Sequence, residues 1–194
     1  MNGNKFDPKK LQKLNNPQRL KDIPPDYIWQ KLNIEKPGVF VEIGAGTAFF
    51  SVAFLQKSTT SIIYACDSSE AMINWIEENV SPQYPNIIPV KTEENSVALS
   101  DGIADLVFMI NLHHELANPS LMVEESKRIL KPDGKIFVVD WKKKDMPEGP
   151  PVKIRCLPEQ VNEQLVNTGF KHVDFFNELP KHFLVVAKKE HICP

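Results

Sequence analysis

The residues able to do chemistry form a spaced series. Glu42-Ile43-Gly44-Ala45-Gly46 closes one apolar run, Asp67 closes the next, and Asn111 with His113-His114-Glu115 follows a later one. Gly44 permits a sharp turn, and Gly46 lets a ligand lie against bare backbone. The unpaired N–H groups of a following helix would face the same place, so an anionic group is expected there. Gly-x-Gly alone is a weak signal, and its surroundings narrow it. Phe49 stands where a dinucleotide fingerprint needs a third small residue, and no Gly-Lys-Ser/Thr of a Walker loop occurs. Glu42 would repel a pyrophosphate but suits a ligand carrying an ammonium or sulfonium charge. Asp67 lies 67 − 46 = 21 residues after the second glycine. That is close to the ~20-residue offset at which a strand-end acid takes a ribose hydroxyl pair, for which an ionised carboxylate supplies two acceptors.

These side chains need a scaffold of alternating strands and helices. Val39 to Ile43 reads as a strand, with a helix expected over Ala48 to Lys57. Ser61 to Cys66 is a second strand, followed by a helix capped by Ser68 or Ser69 with Ala71, Met72, Trp75 and Ile76 as its stripe. Asn86 to Val90 is a third strand, cut short by Pro89. Ala104 to Ile110, apolar throughout, reads as a central parallel strand, and polar residues at its carboxyl end lie where ligands bind in open α/β sheets. Asn118-Pro119 starts a helix with Leu121, Met122, Ile129 and Leu130 facing inward. Lys131-Pro132-Asp133-Gly134 is a turn in which Pro sets φ and Gly allows a positive φ. A fifth strand, Lys135 to Val139, leads to Asp140-Trp141. A helix over Pro158 to Val166 and strands over Lys171 to Phe176 and Phe183 to Ala187 complete the chain, the last two as an antiparallel hairpin.

At 194 residues and 42% hydrophobic, the chain supports one domain with a real core. A net charge of −2 gives no electrostatic case for nucleic acid. Three widely spaced cysteines (Cys66, Cys156, Cys193) suggest neither a disulfide framework nor a metal site, which fits a reducing cytoplasm. The polar start, MNGNKFDPKK, predicts no signal peptide, and no apolar run approaches a membrane span. Residues 1–38 are polar and proline-punctuated. A helix is expected from Pro8 towards Leu20, capped by Asp7 and limited by Pro17, and a second over Tyr27 to Leu32. This segment is either an extension packed on the sheet or a mobile lid over the ligand. In the lid reading the acceptor pocket lies between it, His114 and Trp141, because little else in the chain offers a roof.

Glu42-x-Gly44-x-Gly46, Asp67, an acid after the third strand, and the helix, Lys-Pro-Asp-Gly turn and strand together resemble the class I S-adenosylmethionine-dependent methyltransferases. Lys10-Leu11 to Pro25, His114-Glu115 and Val139 to Lys143 resemble the small prokaryotic group of type 11 methyltransferase-domain proteins. The resemblance covers residues ~36–188. It implies a Rossmann-like doubly wound sheet, mostly parallel with an antiparallel C-terminal hairpin strand and helices on both faces. It divides the chain into a helical segment, 1–35, and a methyltransferase domain, 36–190. The implied cofactor is S-adenosyl-L-methionine, held by Glu42, Gly44, Ala45, Gly46, Asp67, Ser68, Met72, Glu93, Glu94 and Asn111. Glu93 would receive the adenine amino group, with Glu94 the neighbouring choice because Asp is usual at this position.

The acceptor implied is a small molecule, and the sequence leaves its identity and the oligomeric state open. Methyl transfer from a sulfonium is an in-line displacement in which positioning supplies much of the rate, so an obligatory catalytic side chain is not required. His114 and Glu115 are the candidates for general base work, because a neutral imidazole near pH 7 can take a proton. Each also has a structural reading, as a hydrogen-bonded ring or a capping acid. Trp141 is either a pocket wall or a packed surface residue. His113 and His114, adjacent on a loop, do not suggest a metal site. Two other functions stay open: a non-catalytic S-adenosylmethionine-binding sensor or scaffold, and a nicotinamide-dependent oxidoreductase, against which Phe49 and Glu42 both argue.

Overall fold

A computed structural model describes residues 8–190; Asp7 and Cys193 lie outside the described residues. Three short helices lead in: α1 (Pro8–Leu14), α2 (Gln18–Asp22) and α3 (Pro25–Leu32). Pro17 and the Pro24-Pro25 pair divide them, since proline lacks the N–H that would continue a helix but fits its first turn. The domain then runs β1 (Val39–Ile43), α4 (Phe49–Leu55), β2 (Ile62–Asp67), α5 (Glu70–Asn79), β3 (Ile87–Lys91) and β4 (Ala104–Ile110). It continues with α6 (Pro119–Ile129), β5 (Leu130–Trp141), α7 (Pro158–Asn167), β6 (Phe170–Phe176) and β7 (His182–Lys189).

The seven strands form one sheet in the order β3-β2-β1-β4-β5-β7-β6. β7 is antiparallel to both its neighbours and the other pairings are parallel. This is the doubly wound sheet with an antiparallel closing strand that the sequence implies. Because β1 and β4 are central and sequence neighbours diverge from them, their carboxyl ends open a crevice at the topological switch point. Pro89 sits in β3, an edge strand, where a missing donor is tolerated.

Alternate strand residues face opposite layers. Phe40, Phe108 and Phe137 pack with Phe54 of α4 on one face, with Phe108 and Phe137 stacked at 4.9 Å. Val41, Val107 and Val138 face α6 and α7 on the other, against Val123, Val161 and Leu165. Ile28 and Leu32 of α3 are fully buried in the first core, so α3 belongs to the domain body. α2 buries none of its residues. Among the described residues, no helix is long and apolar enough to cross a membrane.

Two local expectations need correction. Lys131 to Gly134 is a bulge inside a longer β5 rather than a turn before it: Ala104 pairs with Leu130 and Leu106 with Lys135, so four residues stand opposite Asp105 alone. The positive φ falls on Asp133 (63°), while Gly134 serves for space, since a Cβ there would lie 2.9 Å from the Lys131 carbonyl. Asp105 holds the bulge through Lys131 at 2.8 Å and accepts both the Gly38 and Val39 N–H groups. The other correction concerns the α5 cap. Ser69 occupies that position without a side-chain cap bond; instead Asp67 Oδ1 accepts the Ser69 N–H at 2.8 Å.

Candidate functional site

The strand ends, the loop after β1 and the N-terminal helices enclose a cavity of about 740 Å³. That is within the range of sites for cofactors and small molecules. Gly44, Ala45 and Gly46 form one wall and Asp67, Ser68 and Met72 a second, with Asn111, His114 and Glu115 at the end of β4. Glu93 and Glu94 are not part of it: both are exposed on the loop after β3, where Glu93 pairs in a lone β-bridge with Ser96. The sequence therefore brings together every expected site residue except these two acids.

The glycine loop is shaped by internal bonds. The Gly44 and Ala45 N–H groups both donate to the Cys66 carbonyl, at 2.8 and 2.9 Å. Gly46 N–H donates to Asp67 Oδ2 at 2.8 Å. These three donors are already occupied, and α4 is only seven residues long, so the expected anion cradle does not form. Gly44 is needed for both conformation and space: its φ is +73°, and a Cβ would stand 2.7 Å from the Leu112 side chain.

Two carboxylates and one amide govern the polarity. Glu42 is 2% exposed and accepts a short hydrogen bond from the Ser51 hydroxyl. Burial pushes its pKa up to about 8, against the opposing pull of Ser51 and the Arg19 guanidinium. A cation entering the cavity would reverse that shift. Asp67 uses one lone pair of each oxygen on the backbone and keeps capacity for a hydroxyl at each. Asn111 adopts φ +57°, and its buried Oδ1 has no hydrogen-bond partner among the described residues. A buried acceptor left unpaired is costly, and a ligand ammonium or hydroxyl would satisfy it. This donor-poor, acceptor-rich wall fits S-adenosylmethionine, a cation with two ribose hydroxyls, far better than a pyrophosphate.

His114 differs from expectation. Its Nδ1 lies 2.7 Å from Asp140 Oδ1, and Asp140 Oδ2 accepts the His114 N–H at 2.9 Å. Burial lowers the pKa of the ring, but the bonds to Asp140 and Glu115 outweigh it and hold His114 at about 9. The ring is therefore charged at neutral pH and has no lone pair for general base work. Glu115 Oε1 lies 3.6 Å from its Nε2, with a side chain 66% exposed. His113 points elsewhere, 2.7 Å from Gln164 Oε1.

Several lining residues carried no local signal in the sequence. Arg19 of α2 stacks over Phe50 at 4.7 Å and faces Glu42. Leu14 of α1 covers Gly46, and Asn15 accepts a bond from the Thr47 hydroxyl at 2.9 Å. Opposite them the loop carrying Glu148, Gly149 and Pro150 reaches over Trp141. Lys181 ties the two sides together, 3.0 Å from Asp22 and 2.7 Å from Glu148. The roof is thus made from both α1–α2 and the 148–150 loop, although little beyond the N-terminal segment was expected to supply one. His182 completes the wall beside Trp141.

Comparison with known proteins agrees with this geometry. The pattern described as "Methyltransferase domain" matches residues 41–138. A S-adenosylmethionine-dependent methyltransferase from Aquifex aeolicus superposes with a TM-score of 0.85 at 31% identity, over 95% of this chain and 99% of that one. A candidate type 11 methyltransferase from Sulfolobus solfataricus gives 0.70 at 26% identity, over 87% and 93%. A methyltransferase-like protein of Schizosaccharomyces pombe is 29% identical over 120 residues, 62% of this chain. This chain spans only 44% of the length of that curated relative. The chain belongs to the class I S-adenosylmethionine-dependent methyltransferases, in the type 11 methyltransferase-domain family.

Proposed function

We propose that this protein transfers a methyl group from S-adenosylmethionine to a small-molecule acceptor bound beneath its own roof. The observation that carries the reading is the closure of the cavity by α1, α2 and the 148–150 loop, clasped by Lys181. A partly roofed cavity of this size suits a small acceptor better than a flat macromolecular surface. The near-balanced charge of the chain argues the same against RNA or DNA.

In this reading Asp67 takes the ribose hydroxyls. Glu42 and Arg19 form the charge pair complementary to the amino and carboxylate groups of the methionine end, with Asn111 Oδ1 as a further acceptor. Ser68 and Met72 line the side nearest α5. Glu93 and Glu94 reach the adenine only if their loop moves inward. The cofactor, when bound, supplies an activated methyl group with a neutral leaving sulfur. The chain's own residues exclude water, hold the acceptor in line, and fix charges around it. His114, kept cationic by Asp140, donates a hydrogen bond to the acceptor, with Glu115 at the rim. In this reading the roof formed by α1 and α2 opens for entry and closes on binding, whereas α3 stays with the body. The three cysteines are few and widely spaced, which suggests a reducing setting, and in this reading the reaction takes place in the cytoplasm.

The test is a methyl-transfer screen over small amines, thiols, phenols and arsenite, read as release of S-adenosylhomocysteine. Turnover with at least one class supports the reading. Cofactor binding without turnover on any of them would favour a sensor role instead.

A further inference from the structure

His182 is the least explained side chain of the cavity. It opens β7 directly opposite Trp141 of β5, with ring centroids 4.3 Å apart and planes inclined at 45°. The residue is 1% exposed and borders the cavity, yet among the described residues neither Nδ1 nor Nε2 has a hydrogen-bond partner. Buried polar groups are satisfied as a rule, and the exceptions mark sites where a ligand or a proton is handled. A strand position beside two apolar β7 residues, Phe183 and Leu184, would accept an aromatic ring at no polar cost.

We propose that His182 is the catalytic base on the acceptor side of the cavity, taking the proton that leaves the acceptor's nucleophilic atom as the methyl group arrives. The inference rests on the methyl-transfer reading given above, and it narrows the acceptor. The nucleophilic atom must carry a hydrogen, as in a hydroxyl, a thiol or an amine. Thioethers and tertiary amines have no proton to give up and gain nothing from this residue.

His114, Glu42 and His113 are unsuited to the task. His114 is occupied by Asp140 and carries its proton already. Glu42 is engaged by Ser51 at the opposite wall. His113 is bound to Gln164 and does not border the cavity. Around His182 stand Asp140 on β5 and Asp22 on α2, which favour its protonation, and Lys181 and Arg19, which oppose it. Glu148 is held by Lys181, and Arg155 lies over Trp141 at 5.8 Å. Burial outweighs the rest and lowers the ring to about 4, so its lone pair is available throughout the neutral range. In the reaction, the acceptor's lone pair forms the bond to the methyl carbon while the carbon–sulfur bond breaks. The electron pair of that bond stays on sulfur, and the acceptor's proton passes to the imidazole. Asp140 and Asp22 then stabilise the imidazolium until the roof opens and water removes the proton.

The test combines spectroscopy with kinetics. Protein carrying ¹³C,¹⁵N-labelled histidine, saturated with S-adenosylhomocysteine, is titrated with catechol, phenol and benzyl mercaptan, each protonated at pH 7 and ionised at higher pH. His182 signals are identified by their loss in His182→Asn, and near-UV circular dichroism verifies that this variant and His182→Gln keep the native fold. At least one probe should shift the His182 ring; no shift with any of the three overturns the proposal. For a probe that is methylated, both variants should lose about 100-fold or more in kcat at pH 7, the scale of general base catalysis. KM and cofactor affinity should stay within a few-fold, and the deficit should shrink as rising pH ionises the acceptor unaided. An undiminished kcat, or a deficit independent of pH, refutes the base. Failure of the unmodified protein to bind S-adenosylmethionine by calorimetry would instead strike the methyl-transfer reading.

Discussion

The protonation of Glu42 makes cofactor binding a pH-dependent event. In the free protein burial raises this carboxyl to about 8, so at pH 7 only about one molecule in eleven carries the charge. A sulfonium and an ammonium brought into the same cavity need that charge. Ionising Glu42 on binding therefore costs roughly 1 kcal/mol at pH 7 and roughly 3 kcal/mol at pH 6. The dissociation constant for S-adenosylmethionine should fall about tenfold from pH 6 to 7, about fivefold from 7 to 8, and little beyond. Binding at pH 7 should release close to one proton. Isothermal calorimetry in two buffers of different ionisation enthalpy measures that number directly. Glu42→Gln abolishes both the proton release and the slope, and its affinity should fall below that of the unmodified protein at pH 6. Equal proton release by the two proteins, or a flat pH profile in the unmodified one, would refute the placement of Glu42 against the cation. The sign for stability runs the other way. A carboxyl whose folded pKa is raised stabilises below its unfolded value near 4.5, and that contribution is lost as pH rises through about 8. The ligand-free Glu42→Gln protein should therefore melt higher than the unmodified one at pH 8.

Other expectations follow from the same geometry. Arg19→Gln should weaken S-adenosylmethionine by roughly 1.5–3 kcal/mol, the scale of a charged hydrogen bond, and leave decarboxylated S-adenosylmethionine nearly unaffected; competition calorimetry separates the two. Asp140→Asn should bring the His114 ring down from about 9 towards its ordinary value, read by NMR titration. In the unmodified protein the stability that this pair contributes is present below pH 6.5 and is lost as pH rises through about 9. Hydrogen exchange over residues 11–22 should slow when S-adenosylhomocysteine binds, while α3 is protected in both states. Lys181→Met should reverse that protection and speed cofactor release, because it frees both sides of the roof.

What the sequence disclosed depends on how locally each feature is encoded. Gly44, Gly46 and Asp67 were legible because a strand, a turn and the next strand end place them at fixed spacing, and Asn111 because polar residues closing an apolar strand lie at the crevice. Glu93 was not, since a loop after an edge strand has no partner to fix its register, and its acids stand in solvent. His114 was found but with the wrong charge, as nothing in the order of residues brings Asp140 within 2.7 Å of it. Arg19, Glu148 and His182 reach the cavity through tertiary packing alone. The antiparallel insertion of β7 between β5 and β6 sets His182 against Trp141, a placement that no periodicity along the chain encodes. Of the N-terminal helices, burial of Ile28 and Leu32 assigns α3 to the core, which left only α1 and α2 as roof.

The most direct test of the account follows where the methyl group goes. Purified protein is incubated with S-[methyl-¹⁴C]adenosylmethionine and a whole-cell extract, and the product is divided by size into small molecules, protein and nucleic acid. The account predicts label in the small-molecule fraction, dependent on native protein and diminished in Asp67→Ala. Label in protein or RNA would contradict it.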